Sequence, residues 1–515
     1  MAANEVVQIG PFNGGLNTYS DPTAVLDTEL VMAENLELDL DGSLVQRPPF
    51  VPAPAFPLSA TGNMTLLGYY YAPGGTPYLI GADGNTSTYY FTGNTWTLIT
   101  DTVAASAITQ YNNLLYIQAP LNSTNPGGSW SPTSVFTAIS AIPKGSTIIA
   151  HKSRLWAASG QNATSGQNGT RVYLSKIADP TTWDGTFIDI GPGDGHNIIK
   201  IMKYFDDLLI FKAASIYRFA FSTDPATGAP SQLSPTIGLT NADSVVTNDS
   251  ILYFVYSDKV YQISNYQITQ INQKVPLAAG TASNTYYPVS LGVFNNRLIV
   301  SYYDTMFVYS LRTQRWTTWK SKQYGAIGRI IELNLGSATH TAIAHSAKPV
   351  GSGSTRTAQV FSLTDAFGPG PGENMTCTMI TKNYDYQGAS MWKRMFYWGV
   401  DASYRGEVRA YARSIRPGMF PTWDGLLNST WADMLNFTWN SIGAADFSTL
   451  LTSVNTSSYS TMRTFTKLGS KSFRFRQVSF RLEFDSDGTS STAPVRIFAL
   501  VTRVNTKQSV SKQVS

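Results

Sequence analysis

Cysteine is nearly missing from this sequence: Cys377 stands alone in 515 residues. No internal disulfide framework can form, and a free core thiol is the expected state of Cys377. Histidine is almost as scarce. His151, His196, His340 and His345 are scattered along the chain, and the last two, in "HTAIAH", fall on opposite faces of an expected strand. That leaves too few ligands for a Cys/His zinc site, and neither a metal nor a cofactor is expected. Charge is thin as well. Asp, Glu, Lys and Arg make up 14% of the chain, against about 25% in an average soluble domain, and a net charge of +4 is too small to predict a nucleic-acid binder. No apolar run of about eighteen residues is present, so no stable membrane insertion is expected. The start "MAANEVVQIGPFNGG" lacks the basic and apolar regions of a secretion signal, which points to synthesis in a cytoplasm. Helix-forming Ala/Glu/Lys/Leu blocks are lacking, as are a Gly-x-Ser-x-Gly elbow, a Walker loop and a zincin motif. The expectation is a non-enzyme with no catalytic, cofactor-binding or metal-ligating residue to assign.

What is present favours strands. Tyr, Phe and Trp make up 12% of the residues, and Thr and Val are abundant. Five stretches share one pattern: "NNLLYI", "KSRLWA", "DDLLIF", "DSILYF" and "NNRLIV", anchored at Leu115, Leu155, Leu209, Leu252 and Leu298. Weaker matches put Leu79 before them and Ile343 after them, with spacings of 36, 40, 54, 43, 46 and 45 residues. Most anchors are followed by a second strand with an aromatic, such as "SIYRFAF", and often by a third, such as "QRWTTWK". Short strands recurring at this period are the mark of a β-propeller, in which neighbouring units bury each other's faces. The expected fold class is all-β: a propeller of about seven blades over residues 61–366, an N-terminal arm and hairpin over 1–60, and a C-terminal β-sandwich over 367–515.

One stretch invites a chemical reading. "DPTTWDGTFIDIGPGDGHNI" gathers Asp179, Asp184, Asp189, Asp194 and His196. Its spacing lacks the ligand order of a calcium loop. It also falls in the 54-residue interval where one blade must end and the next begin, so "TFIDI" reads as an outer strand and "GPGDG" as a turn.

The flanking regions differ from the repeat. "LELDLDGSLVQR" alternates around an Asp-Gly turn at Asp41 and Gly42 and reads as a hairpin. "DAFGPGPGEN" reads as a linker. Beyond it, "FRFRQVSFRLEFDSD" alternates apolar and charged positions, with a change of side between Phe475 and Val478 that suggests a bulge. Arg405, Arg409, Arg413, Arg474, Arg476 and Arg481 fall on the polar side of these strands, forming either a basic surface or a solvated face balanced by acids. The closing stretch carries Arg496, Arg503, Lys507 and Lys512 with no acid after Asp487.

Three stretches together resemble bacteriophage tail proteins: "GPFNGGLNTYSDPTAVLDTELVMAENLELDLDGSLVQRPPF", "KIADPTTWDGTFIDIGPGDGHNIIKIMKYFDDLLIFKAASIYRF" and "KRMFYWGVDA". Such motifs recur in siphophage minor tail proteins and podophage tail nozzle proteins, both propeller-bearing. The resemblance implies a structural virion protein of the distal tail, in several copies as a homo-oligomeric ring around the DNA-ejection channel. It implies other phage tail proteins as partners, with transient contact to ejected DNA and a host surface receptor as further ones, and no catalytic residues. The alternative is a tail protein that binds or cleaves host glycans. Loops rich in Asn, Thr, Tyr and Trp suit it, and a carboxylate pair from different blades would serve cleavage, although the Ser-x-Asp-x-Gly-x-Thr-Trp box of propeller glycosidases is not reproduced.

Overall fold

A computed structural model describes the chain apart from residues 1–3, 58–63, 93–94, 159–168, 223, 278–288, 303–304, 322–326, 334–340, 347–356, 365–374, 387–392, 416–448, 468–472, 476, 487–494 and 507–515. The expected linker, His340, Arg476, Lys507 and Lys512 lie outside the described residues, as do the side chains of His345, Arg405 and Arg474. Among the described residues the fold is all-β, with a single 3-10 turn at Pro225–Thr227 and no α-helix. The chain divides into two compact units. A repeat unit holds Phe50–Phe307 and Tyr324–Asp365; a terminal unit holds Met1–Pro49, Val308–Gln323 and Ala366–Ser515.

The repeat unit is a series of four-stranded antiparallel meanders and is propeller-like. One sheet runs Ile198–Tyr204, Asp207–Lys212, Ile216–Ala220, Ala229–Ser234. The sheets that start at Thr65–Tyr71, Ala107–Tyr111, Thr147–His151 and Val245–Asn248 repeat this order. Leu79, Leu115, Leu155, Leu209, Leu252 and Leu298 all sit buried in the second strand of a meander, and each such burial is worth about 1.5–3 kcal/mol. The polar pairs before the anchors form the tight turns. Asn112 and Asn113 (φ 47° and 60°), Lys152 and Ser153 (46° and 57°) and Asn295 and Asn296 (41° and 59°) take the left-handed conformation that a two-residue hairpin needs.

First strands of successive sheets lie side by side. Thr65–Tyr71 neighbours Ala107–Tyr111, which neighbours Thr147–His151, and that strand neighbours Ile198–Tyr204. Ile327–Leu333 lies beside both Ser290–Phe294 and Thr65–Tyr71, so the series returns to its start. Side chains stitch these neighbours: Thr109 Oγ1 accepts from the Ala150 N–H at 3.1 Å, and Thr147 Oγ1 from the Ile201 N–H at 3.2 Å. The closing sheet takes its outermost strand from far away in sequence. Phe50–Pro57 pairs antiparallel with Thr357–Thr364, next to Thr341–Ser346 and Ile327–Leu333. Residues 50–57, expected within the N-terminal arm, thus belong to the repeat.

In the terminal unit the strand order is Arg315–Trp319, Glu29–Glu34, Met375–Thr381, Gln477–Ser486, Lys393–Ile415, Arg496–Thr506, Leu44–Gln46, Leu36–Leu38. Asn4–Ile9 pairs with Arg496–Thr506, and Thr449–Lys467 with Lys393–Ile415. The expected hairpin is present, turning at Gly42 with φ 79°. Residues 4–49 do not stand free as an arm. The strand Glu29–Glu34 carries apolar side chains that need cover, and Leu30, Ala33, Leu36 and Leu44 are buried in one core with Met379, Trp398, Phe480 and Ile497.

The C-terminal strands form a single branched sheet. Lys393–Ile415 pairs with Arg496–Thr506 over residues 393–403 and with Gln477–Ser486 over residues 407–415. The change of side between Phe475 and Val478 is a change of partner rather than a bulge. Phe475 faces Lys393 while Gln477 faces Ile415, so the long strand curls until its two ends meet adjacent parts of the chain.

Candidate functional site

The aspartate-rich stretch is built from turns. Asp179 Oδ1 accepts from the Thr181 N–H and hydroxyl, and Asp184 Oδ1 from those of Thr186. Hydrogen bonds from Thr182 and Thr181 hold the Asp179 carboxyl down at about 2. Asp189, on the outer strand Phe187–Asp189, pairs with Arg171 at 3.2 Å. Asp194 differs from the others. Its Oδ1 accepts from Lys212 Nζ and from the His196 N–H, and its Oδ2 from the Ser215 hydroxyl at 2.8 Å and the Tyr217 hydroxyl at 3.1 Å. Burial pushes the Asp194 carboxyl up, but the bonds from Lys212, the His196 N–H and Ser215 outweigh it and leave it below its ordinary range. Lys212 is fully buried and also donates to the carbonyls of Ile190 at 2.9 Å and Gly191 at 3.0 Å. The ammonium therefore has an acceptor for each of its three protons. The cluster fastens the loop that leaves one sheet onto the second and third strands of the next. A saturated ion pair of this kind has no lone pair or proton to offer a substrate.

The motif "NLELDLDGSLVQRP" makes a second hub, in the terminal unit. Asn35 takes φ 58° between two strands, and its N–H donates to the Thr318 carbonyl at 2.7 Å. The Asn35 Oδ1 accepts from Arg47 Nε at 2.8 Å and the Lys320 N–H at 2.9 Å, while Nδ2 donates to the Thr376 carbonyl at 2.9 Å. Arg47 is wholly buried. It donates from Nη1 to the Pro48 carbonyl at 2.9 Å and from Nη2 to the Lys320 carbonyl at 3.4 Å, with its guanidinium 5.6 Å from the ring centre of Trp319. Cys377, a buried free thiol, reaches the Asn35 carbonyl at 3.4 Å. Three separate chain segments meet at one Asn–Arg pair.

Arg409, Arg481 and Arg496 of the C-terminal strands sit among acids. Arg409 pairs with Asp485 at 2.6 Å, Glu483 at 3.3 Å and Glu407 at 3.5 Å, and Arg481 pairs with Glu483. Arg413 is half-buried, and burial lowers its guanidinium from the ordinary value. Arg496 pairs with Asp39 at 2.9 Å and Asp41 at 3.5 Å. A cavity of about 240 Å³ is lined by Ile9, Asp27, Lys382, Tyr384 and Tyr386. Lys382 is paired with Asp27 there, and burial keeps the Tyr384 hydroxyl well above its ordinary value.

His151 ends the strand Thr147–His151, buried against Phe221, whose ring centre is 5.7 Å away, and neither ring nitrogen has a hydrogen-bond partner. Burial, then Lys152 and Lys203, depress its basicity against the opposing Asp206. His151 and His196 are not brought together with other metal-binding side chains. Among the described residues no group of three or more His, Cys, Asp and Glu could hold a metal ion. The sequence reading missed both hubs as hubs. Their one signal was that Asn35, Arg47, Asp194 and Lys212 lie within the sequence stretches singled out above for their resemblance to tail proteins.

No protein-family model and no curated protein matches this chain. Solved structures to which it is similar include the extracellular domain of a one-component system from B. thetaiotaomicron, at 11% identity and TM-score 0.39. That match covers 70% of this chain and 45% of the other, so the chain spans under half the length of that domain. Others are BamB from Moraxella catarrhalis (12% identity, 61% of this chain and 97% of that one, TM-score 0.37) and the Neurospora crassa Pan2 WD40 domain (8%, 60% and 89%, TM-score 0.38). These likenesses are too distant to carry an argument about what this chain does.

Proposed function

We propose that this chain is a non-enzymatic structural protein of the distal bacteriophage tail, a nozzle or minor tail component that assembles as a homo-oligomeric ring around the DNA-ejection channel. The observation that carries this reading is the use made of the tail-like motifs. "NLELDLDGSLVQRP" and "DIGPGDGHNIIK" are spent on two hubs, Asn35–Arg47 and Asp194–Lys212, whose polar groups are turned inward to fasten distant segments. A scaffold needs such rigidity, and a catalytic site needs groups left open to substrate. The closed sequence of four-stranded sheets, together with the meander that begins at Ser290, supports a propeller of seven blades as the rigid body. The curled C-terminal sheet, in the place of a sandwich, suits contact between subunits. Low charge density supports the same reading, since the centres of protein interfaces are depleted of charge. Other tail proteins are the partners, and the virion is the site of action.

The test is mass photometry of the purified full chain, negative-stain imaging of any assembly, and labelling of intact phage particles with antibody to the chain. Closed rings and label at the tail tip are the expected results. A monomer at all concentrations with unlabelled virions would overturn the proposal. Saturable binding of host oligosaccharide, lost on replacing exposed loop aromatics, would move the assignment to the glycan reading.

A further inference from the structure

The tight turn after the first strand Ile198–Tyr204 departs from its counterparts. Other sheets put Asn112–Asn113, Lys152–Ser153, Asp249–Ser250 and Asn295–Asn296 at this place, whereas here it is Phe205–Asp206, with Phe205 at φ 52°. A bulky side chain in the left-handed region is an outlier, because its Cβ crowds the backbone where asparagine is tolerated. Phe205 is nevertheless 50% exposed. Its ring centre stands 4.6 Å from that of Tyr204 and 6.3 Å from that of Tyr266. Tyr266 belongs to the next sheet, in the turn between Lys259–Ser264 and Gln267–Gln270, and it too takes a left-handed φ, 62°. Two aromatic residues from two sheets thus occupy turn positions that suit asparagine or glycine better, and one of them keeps half its surface in water.

A cation is fixed beside them. The Arg218 guanidinium, on the third strand Ile216–Ala220, lies 4.0 Å from the Tyr266 ring centre. Its Nε donates to Asp207 Oδ2 at 2.7 Å, and the Tyr266 hydroxyl donates to the same oxygen at 2.6 Å. Asp207 is buried, so its carboxylate is spent on holding these two in place. The Arg218 side chain is 39% exposed, and its Nη1 and Nη2 make no hydrogen bond or ion pair among the described residues. The Tyr204 hydroxyl is used as well: it accepts from the Asn265 N–H at 3.0 Å and donates to the Ile263 carbonyl at 3.3 Å. The neighbouring Asp206 carboxylate is paired with Lys152 at 2.9 Å. What the cluster leaves open is an aromatic face and the outer donors of a guanidinium.

We propose that Phe205 and Arg218, steadied by Tyr266 and Asp207, bind a nucleotide unit: the base stacks on the Phe205 ring, and the phosphate meets the open Nη edge of the Arg218 guanidinium. Stacking needs only a π face, and every base has one. A guanidinium whose Nε is already clamped presents its remaining donors as a planar fork that matches phosphate oxygens. A neutral sugar fits less well, because its hydroxyls ask for acceptors as well as donors, and the acceptors here are turned inward. One ring and one fork take one unit, which agrees with a net charge of +4 that provides no long basic groove. The strained turn at Phe205 is kept because it holds the ring out where a base can reach it. A free nucleotide and a single strand carry the same chemistry to the site.

The experiment is isothermal titration calorimetry of the full chain at low ionic strength, with thymidine monophosphate, a short oligothymidylate, thymidine, inorganic phosphate and a neutral galactose oligosaccharide in separate arms. The expected result is saturable binding of thymidine monophosphate, about tenfold or more tighter than that of thymidine or inorganic phosphate. A further gain for the oligothymidylate that shrinks with added salt identifies a strand as the source, and equal affinity identifies the free nucleotide. Phe205→Asn should weaken nucleotide binding by about tenfold or more while melting no earlier than the parent, since asparagine suits φ 52°. Phe205→Trp should retain the binding, and Arg218→Lys should bring thymidine monophosphate down to the affinity of thymidine. Because these groups belong to two sheets of a single chain, the measurement does not depend on ring assembly. Absence of saturable nucleotide binding, or binding unchanged in Phe205→Asn, would overturn the site. Loss of binding in Phe205→Asn together with earlier melting, and not retained in Phe205→Trp, would make the ring a packing residue and overturn it as well. Equal affinity for the neutral oligosaccharide would overturn the ligand class.

Discussion

The side chains that hold this molecule together are polar ones in apolar places, and each makes a separate demand. Arg47 supplies donors to Asn35 Oδ1 and to two backbone carbonyls. Replacing it with Met keeps much of the volume but takes a donor from the Pro48 and Lys320 carbonyls, at about 1–3 kcal/mol each, while Asn35 Oδ1 keeps only the Lys320 N–H. Arg47→Met is therefore expected to cost on the order of 3 kcal/mol or more, read as a lower urea midpoint for the terminal unit. His151 behaves oppositely, because what it lacks is a partner. Its folded basicity lies below the ordinary 6.5, so the unfolded chain binds more protons as pH falls, and stability present above 6.5 is lost below it. His151→Leu should flatten the pH dependence of unfolding free energy between pH 6.5 and 5 and leave stability at pH 8 nearly unchanged; an unaltered acid slope would show that His151 does not titrate there. Neither residue could be ranked from sequence. Arginine is usually exposed, and nothing local to "VQRPP" says that its guanidinium faces a tryptophan nearly three hundred positions away. Asp194 was legible as a turn residue, but its lysine partner was not, since the two are joined only by the packing of successive sheets.

At the scale of the element, the repeat could be read because its signal is local. An anchoring leucine and the turn before it lie within a few residues, and that pairing located the second strand of each meander. The turn makes a sharp expectation. Asn113 takes φ 60°, which a β-branched residue resists by about 1–2 kcal/mol, so Asn113→Val should lower the melting temperature of the repeat unit while Asn113→Gly should not. What stayed hidden was the closure. "FVPAPAFP" looks unlike a strand because of Pro52, Pro54 and Pro57. Phe50–Pro57 nevertheless sits at the outer edge of its sheet, paired on one side only, and an edge is where a strand tolerates prolines. Phe56 from this strand is buried against Trp96 and Tyr89, with ring centres 4.6 Å and 5.2 Å away. Phe56→Ala should cost about 3–5 kcal/mol, and hydrogen exchange should show the protection lost in the closing sheet and in the sheet of Thr88–Thr92. The change of direction at Phe475 was legible as an irregularity. Its cause, a long strand whose two ends are served by consecutive residues, depends on curvature that alternation alone does not encode.

For the whole molecule, the division into units cuts across the order of the chain. The terminal unit is drawn from three segments and the repeat unit from two, so neither can be excised as one continuous piece. Deleting residues 1–49 removes Leu30, Leu36, Leu44 and Arg47 from the terminal unit's core and hub. The truncated chain should therefore be degraded by protease within its C-terminal strands under conditions where the parent resists. A truncation that left those strands protected would mean that the first segment is dispensable for them. A boundary near residue 60 follows in the sequence from where the repeat pattern begins, while the contacts that define a compact body join distant segments of the chain.

The pairing of Asn4–Ile9 with Arg496–Thr506 sets a clock on biosynthesis. A ribosome delivers the first of these strands almost five hundred codons before the second, a wait of roughly 25–100 s at about 5–20 residues per second. Throughout that interval the stretch "VVQI" leaves the exit tunnel with neither its ladder nor its cover, as an unpaired strand of the kind that recruits the wrong neighbour. A terminal unit that cannot close until Arg496–Thr506 has been made gives nascent chains in a crowded polysome time to pair with each other. Holdase capture of nascent chains, or slower elongation at low temperature, should therefore change soluble yield far more than it changes the stability of the finished protein.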